Sequence, residues 1–145
     1  MDIQSIKKNS AVIAAGQWVD GIPGLSDARL RVRGLTCAAA RAFRAKRERA
    51  APDSDRDADG MLNSEALRRI LCETLLEVVL IDWEGLTSGG EPLPYAKKTA
   101  EQFLLDPDYE EFADWVTWAA HSVDRNNTGV QAALEKNSGA PSSGA

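Results

Sequence analysis

Residues 63–83, "NSEALRRILCETLLEVVLIDW", constrain the fold more than any other part of the chain. Leu67, Ile70, Leu71, Leu75 and Val78 recur at spacings of three and four, which places them on one face of a helix. Toward the end, Cys72, Leu76, Val79, Leu80 and Trp83 add a second apolar stripe. A helix with two such stripes has to be covered on most sides. The other elements are therefore expected to pack around a helix over 63–83, with Asn63 as its cap.

The flanks supply that cover. "AVIAAGQWVD" reads as a strand through Val12, Ile13, Trp18 and Val19. After the turn residues "GIPGLSD", the stretch "ARLRVRGL" sets Leu30 and Val32 on one face and Arg29, Arg31 and Arg33 on the other. Together these predict a β-hairpin over about residues 11–33. Thr36 is the expected cap of an Ala-rich helix over 36–50, whose main apolar anchor is Phe43. An acidic linker occupies 51–62. Past the central helix, "GLTSGGEPLP" breaks the chain. A short helix over 96–105 turns Ala100, Phe103 and Leu104 inward. Asp106 as cap and Pro107 at the first helical position start a last helix over 107–124. Its buried face is Tyr109, Phe112, Trp115, Val116, Ala119 and Val123, with Trp118 off that stripe.

The fold class expected is mainly α with a small N-terminal β-hairpin, an α+β arrangement. One globular domain spans 11–125, between a flexible arm at 1–10 and a disordered Gly/Ser/Asn-rich tail at 126–145. A chain of 145 residues with 43% hydrophobic content can fill one core. No apolar run is long enough to span a bilayer, and the start has no leader pattern.

The net charge of −5 hides a division. Residues 1–50 hold ten Lys/Arg against four Asp/Glu, and residues 51–145 hold seven against eighteen. The basic block includes Arg29, Arg31, Arg33, Arg41, Arg44, Lys46, Arg47 and Arg49. It offers no aromatic stacking platform and no recognisable zinc or RNA-binding motif, so it reads as a solvated face or a patch meeting acidic surface, not a nucleic-acid site.

"DSDRDADGMLNSEA" imitates a calcium loop, with Asp55, Asp57, Asp59 and Gly60 at positions one, three, five and six. The closing position falls on Ala66, and Glu65 stands one residue early, about 100° away on a helix. The stretch therefore reads as an acidic linker, and no metal or cofactor is expected. Cys37 and Cys72 lack CxxC spacing and are expected reduced and packed. His121 has no orienting partner or nucleophile in any motif, and no phosphate loop is present, so no catalytic residue is assigned and the chain is expected not to be an enzyme.

Val79–Ala120, "VLIDWEGLTSGGEPLPYAKKTAEQFLLDPDYEEFADWVTWAA", resembles the tail assembly chaperones of long-tailed bacteriophages and prophages. The matching residues are Asp82, Trp83, Glu84, Gly85 and Leu86, then Pro92, Pro94 and Tyr95, then Leu104, Leu105, Phe112, Val116 and Ala119. With the upstream hairpin, the resemblance covers about residues 11–124. Ala96 departs from it where a Ser or Thr cap is expected, and the acidic run at 53–59 is outside its pattern. It implies a non-enzymatic factor of the bacterial host cytoplasm. Its partners would be the tape-measure protein, tail-tube subunits and copies of itself. Asp82, Trp83, Gly85, Pro94, Phe112 and Val116 are then structural motif residues. Tyr95 and Trp118, outside the core stripes, are candidate aromatic anchors, with Arg44 and Arg47 tuning association. The competing class is a structural head–tail connector or tail-terminator component. The resemblance also implies a longer product made by a ribosomal slip, for which codons of Glu135-Lys136-Asn137 can form a slippery heptamer.

Overall fold

The structure, a computed structural model, describes residues 1–128. In chain order the elements are α1 (Ser10–Ala15), β1 (Gln17–Val19), β2 (Arg29–Val32), α2 (Ala38–Ala50), α3 (Ser64–Thr74), β3 (Leu80–Glu84), β4 (Thr87–Ser88), β5 (Glu91–Pro92), α4 (Lys97–Leu105) and α5 (Glu110–Asn126). Among the described residues, five helices with a three-stranded antiparallel sheet and a separate two-stranded β4–β5 ladder make the α+β class expected from sequence.

Asn63 caps α3 as anticipated, its side chain accepting the Ala66 N–H at 2.8 Å. The helix then stops nine residues short of Trp83. Leu75–Val79 form a π turn, and the chain leaves it as strand β3. The run Val78, Val79, Leu80, Ile81 explains the switch, since β-branched residues favour extended backbone. An apolar run covered on all sides suits a central strand as well as a buried helix. The π turn buries Leu75, Leu76 and Val79, and β3 then buries Leu80 and Trp83. Leu67, assigned to the core stripe, is instead 49% exposed on the outer side of α3.

β3 completes a sheet of order β1-β2-β3. Val19 pairs with Leu30, and Leu30 with Trp83, in antiparallel register with an irregularity between Arg31 and Val32. The alternation read in β2 holds: Leu30 and Val32 are fully buried while Arg29 is exposed. The strand expected over 11–20 is corrected to a helix plus three strand residues. Asn9 caps α1 by accepting the Val12 N–H, and Gly16 ends it at φ +88°. Two strong end signals around Ala-rich sequence outweigh the β-branched Val12 and Ile13. Residues 1–10 are also more organised than a loose arm. Ile3–Ile6 make a 3₁₀ turn, and the Asn9 N–H donates to the Asn127 carbonyl at 2.7 Å.

α5 lies across the sheet, packing on β1 and β2, while α3 and its π turn contact α2, α4 and α5. Phe112, Val116, Ala119 and Val123 are buried as expected, but Tyr109 is 49% exposed at the corner before α5. Asp106 caps that corner, its Oδ1 accepting the Asp108 N–H at 3.0 Å to start a 3₁₀ turn over Pro107–Tyr109. α4 begins after Ala96 without a side-chain cap.

Thr36 does not cap α2. Cys37 holds the cap position without a side-chain bond, and Thr36 is drawn to Asp124 instead. α2 buries only Ala40 among its own residues. Phe43 is half-buried beneath the Arg47 guanidinium, 5.0 Å from its ring centroid, and does not anchor the core. The acidic linker is an ordered loop: Asp57 Oδ1 accepts the N–H groups of Asp59 and Met61, and Asp55 pairs with Arg69 at 2.6 Å. The carboxylates at the first two calcium-like positions are thus engaged by the protein. Cys37 and Cys72 are both buried free thiols. The tail expected to be disordered from residue 126 is ordered at its start, since Asn126 ends α5 and the Asn127 side-chain amide donates to the Val123 carbonyl at 2.8 Å. Its remainder past Thr128, with the Glu135-Lys136-Asn137 tripeptide, lies outside the described residues.

Candidate functional site

Trp83 is the hub of the motif segment. The residue is 3% exposed. Its Nε1–H donates to the Leu93 carbonyl at 2.7 Å, fastening the β4–β5 hairpin to the core. Tyr95 and Phe112 meet it edge-on, with centroids at 5.0 and 5.8 Å. Asp82 Oδ1 accepts the Trp83 N–H at 2.8 Å. Gly85 turns the chain out of β3 at φ +88°, where a Cβ would stand 2.5 Å from the Asp27 carbonyl oxygen. Only glycine suits both that conformation and that approach. Pro94 is exposed just before Tyr95, and Val116 is fully buried on α5. The structure therefore gathers Asp82, Trp83, Gly85, Tyr95 and Phe112 into one corner.

Tyr95, a candidate for a partly exposed anchor, is half-buried against Trp83, and burial raises its phenol pKa. Trp118 is 37% exposed on α5, the more exposed of the two candidate aromatic anchors. Arg44 and Arg47 sit on α2. Arg47 pairs with Glu73 at 3.1 Å. The basic block divides in the same way. Arg29 pairs with Glu84 at 2.7 Å and lies 4.3 Å over Trp18. Arg33 donates to the carbonyls of Ala14 and Val78. Arg41, Lys46 and Arg49 are exposed and have no carboxylate partner among the described residues. His121 is exposed.

Two open grooves flank the α4–α5 corner. The wider, about 540 Å³, lies between α3 and the corner. Cys72, Leu104 and Ala113 are its buried lining, Leu105 is 43% exposed, and Arg68, Arg69 and Glu110 add charge. Burial raises the Cys72 pKa, keeping that surface a neutral thiol. The narrower, about 250 Å³, is lined by Leu86, Leu93, Phe103, Tyr109, Phe112 and Trp115, with the carboxylates Asp108 and Glu111. Sequence reasoning missed both grooves. The signal was the Leu104-Leu105 pair before the Asp106 cap, because adjacent helical residues do not share a face. Leu104 is 2% exposed and Leu105 is left outside.

Among the described residues, no helix is long and apolar enough to cross a membrane. No curated protein and no solved structure gives a match to this chain. A family model described as YdaY prophage protein matches residues 38–137, from the start of α2 past the end of α5. That match includes the acidic loop and leaves the hairpin strands β1 and β2 outside it. With well over half of its length matched, the chain belongs to the YdaY prophage protein family.

Proposed function

We propose that this prophage protein is a tail assembly chaperone. It acts without catalysis in the cytoplasm of the bacterial host, covers the tape-measure protein and helps recruit tail-tube subunits. The observation that carries the reading is the 540 Å³ groove between α3 and the α4–α5 corner, whose lining lies inside the family match. Its apolar lining and charged flanks suit an amphipathic helix laid into a groove. A tape-measure protein before assembly exposes such helical stripes, and a small protein with a preformed groove can cover them reversibly. The "DWEGL" and "PLPY" resemblance, built around Trp83, supports the same reading.

The test is coexpression with the tape-measure protein of the same prophage. A soluble complex that coelutes is expected, with the chain absent from finished particles. Leu105→Glu places a charge at the exposed lip and should weaken the complex at least about tenfold while the melting temperature stays close to wild type. A tape-measure protein left unbound, or the chain found as a component of purified particles, sinks the proposal in favour of a structural connector.

A further inference from the structure

We propose that copies of this chain associate head to tail, with an arginine from the outer face of α2 in one copy entering the aromatic groove beside β4–β5 in the next. The groove combines the rings of Phe103, Tyr109, Phe112 and Trp115 with the carboxylates of Asp108 and Glu111. Both carboxylates are exposed and neither has a cationic partner among the described residues. No lysine or arginine lines the groove. Ring faces carry negative potential, so aromatic walls with two free carboxylates make a receptor for a guanidinium.

The fold already satisfies arginine by this chemistry at two places. Arg29 lies over Trp18 and pairs with Glu84. Arg47 lies over Phe43 and pairs with Glu73. The groove is the same receptor without its guanidinium, and α2 gathers on one helix exposed guanidinium groups that have no carboxylate partner among the described residues. Arg41, Lys46 and Arg49 project from a helix that buries only Ala40. Between them by helical spacing are Ala42 and Ala45, small enough to let α2 come close to another surface. The chain cannot fill its own groove with α2, because α2 is fastened to α3 by Arg47 and Glu73. The occupant therefore comes from a second copy. Donor helix and groove are different surfaces, so the contact is heterologous and builds chains or closed rings. It uses the narrower groove and leaves the wider one free, so it stands independently of the tape-measure reading.

Sedimentation across protein concentration tests this. Wild type should show a mass that rises with concentration in ~50 mM salt and falls back in ~500 mM salt, where charge attraction is screened within a few ångströms. Arg41→Gln with Arg49→Gln, and separately Asp108→Asn with Glu111→Gln, should each shift association to at least about tenfold higher concentration, with unchanged circular dichroism. Mixing the two variants should give a capped one-to-one pair, since one keeps its groove and the other its helix. Wild type that stays monomeric in low salt overturns the proposal. So does association weakened by only one of the two variants, or a mixture that forms no pair.

Discussion

The Thr36 hydroxyl donates to Asp124 Oδ1 at 2.6 Å, joining the loop after β2 to the last turns of α5 across 88 residues of sequence. The Thr36 N–H donates to the same oxygen. The approach leaves no room at Gly34, where a Cβ would stand 2.1 Å from Asp124 Oδ1 and 2.5 Å from Ile13 Cγ2. Gly34→Ala is therefore predicted to cost about 1–3 kcal/mol by overpacking. Asp124→Ala should cost about 1–3 kcal/mol by orphaning the loop donors. The two share one contact, so denaturant unfolding of the double variant should fall short of the sum by at least about 0.5 kcal/mol. Strict additivity would separate Gly34 from Asp124 and leave Ile13 as the obstacle.

Trp83 acts through both packing and its N–H. Trp83→Ala should cost about 3–5 kcal/mol, the range for large aromatic truncation in a core. Trp83→Phe retains much of the ring contact with Tyr95 and Phe112 but leaves the Leu93 carbonyl without its donor, and should cost about 1–3 kcal/mol. Thermal or denaturant melts that place the two variants together would show that the bond to Leu93, not the ring packing, holds the corner.

What could be read in the sequence was the chemistry that acts over a few residues. Asn63 and Asp106 were legible caps because each bonds an N–H two or three residues on. β2 was legible because one of its faces is buried and the other is wet. The misreadings share another cause. Thr36 looks like a cap until Asp124, far along the chain, claims its hydroxyl. The run after Thr74 looks helical until β2, about fifty residues earlier, offers a strand edge to Leu80–Glu84. Tyr95 sits outside every helical stripe, so periodicity could not assign it to the Trp83 cluster. The grooves depend on how α3, α4 and α5 converge, which only the Leu104-Leu105 pair hinted at.

Asp106 supplies a simpler check on local chemistry. Its Oδ1 accepts the Asp108 N–H at the start of the turn into α5. Asp106→Ala should lose about 1 kcal/mol, and Asp106→Asn should remain close to wild type because Asn caps comparably. Equal losses in both variants, measured by urea unfolding, would assign the effect to the negative charge instead of the cap.

The last prediction concerns pH and the sheet edge. Glu84 on β3 faces Arg29 on β2 in register, and the Arg29 Nε–H donates to Glu84 Oε2 at 2.7 Å. That hydrogen bond holds the Glu84 pKa below the ordinary carboxylate value. A carboxylate with a lowered folded pKa contributes stability above its unfolded pKa and loses it as pH falls through the folded one. Wild type should accordingly melt higher than Glu84→Gln at neutral pH. The gap should close on acidification below about pH 4, as the wild-type carboxylate becomes protonated. Both side chains are well exposed, so the gap should be small and should shrink in high salt. Arg29 keeps its place over Trp18 when Glu84 is neutral, because the ring face does not titrate. Thermal melts of wild type and Glu84→Gln across the acid range check this. A difference that persists unchanged to low pH would mean that Glu84 acts through packing or strand propensity, and that its charge on Arg29 contributes nothing.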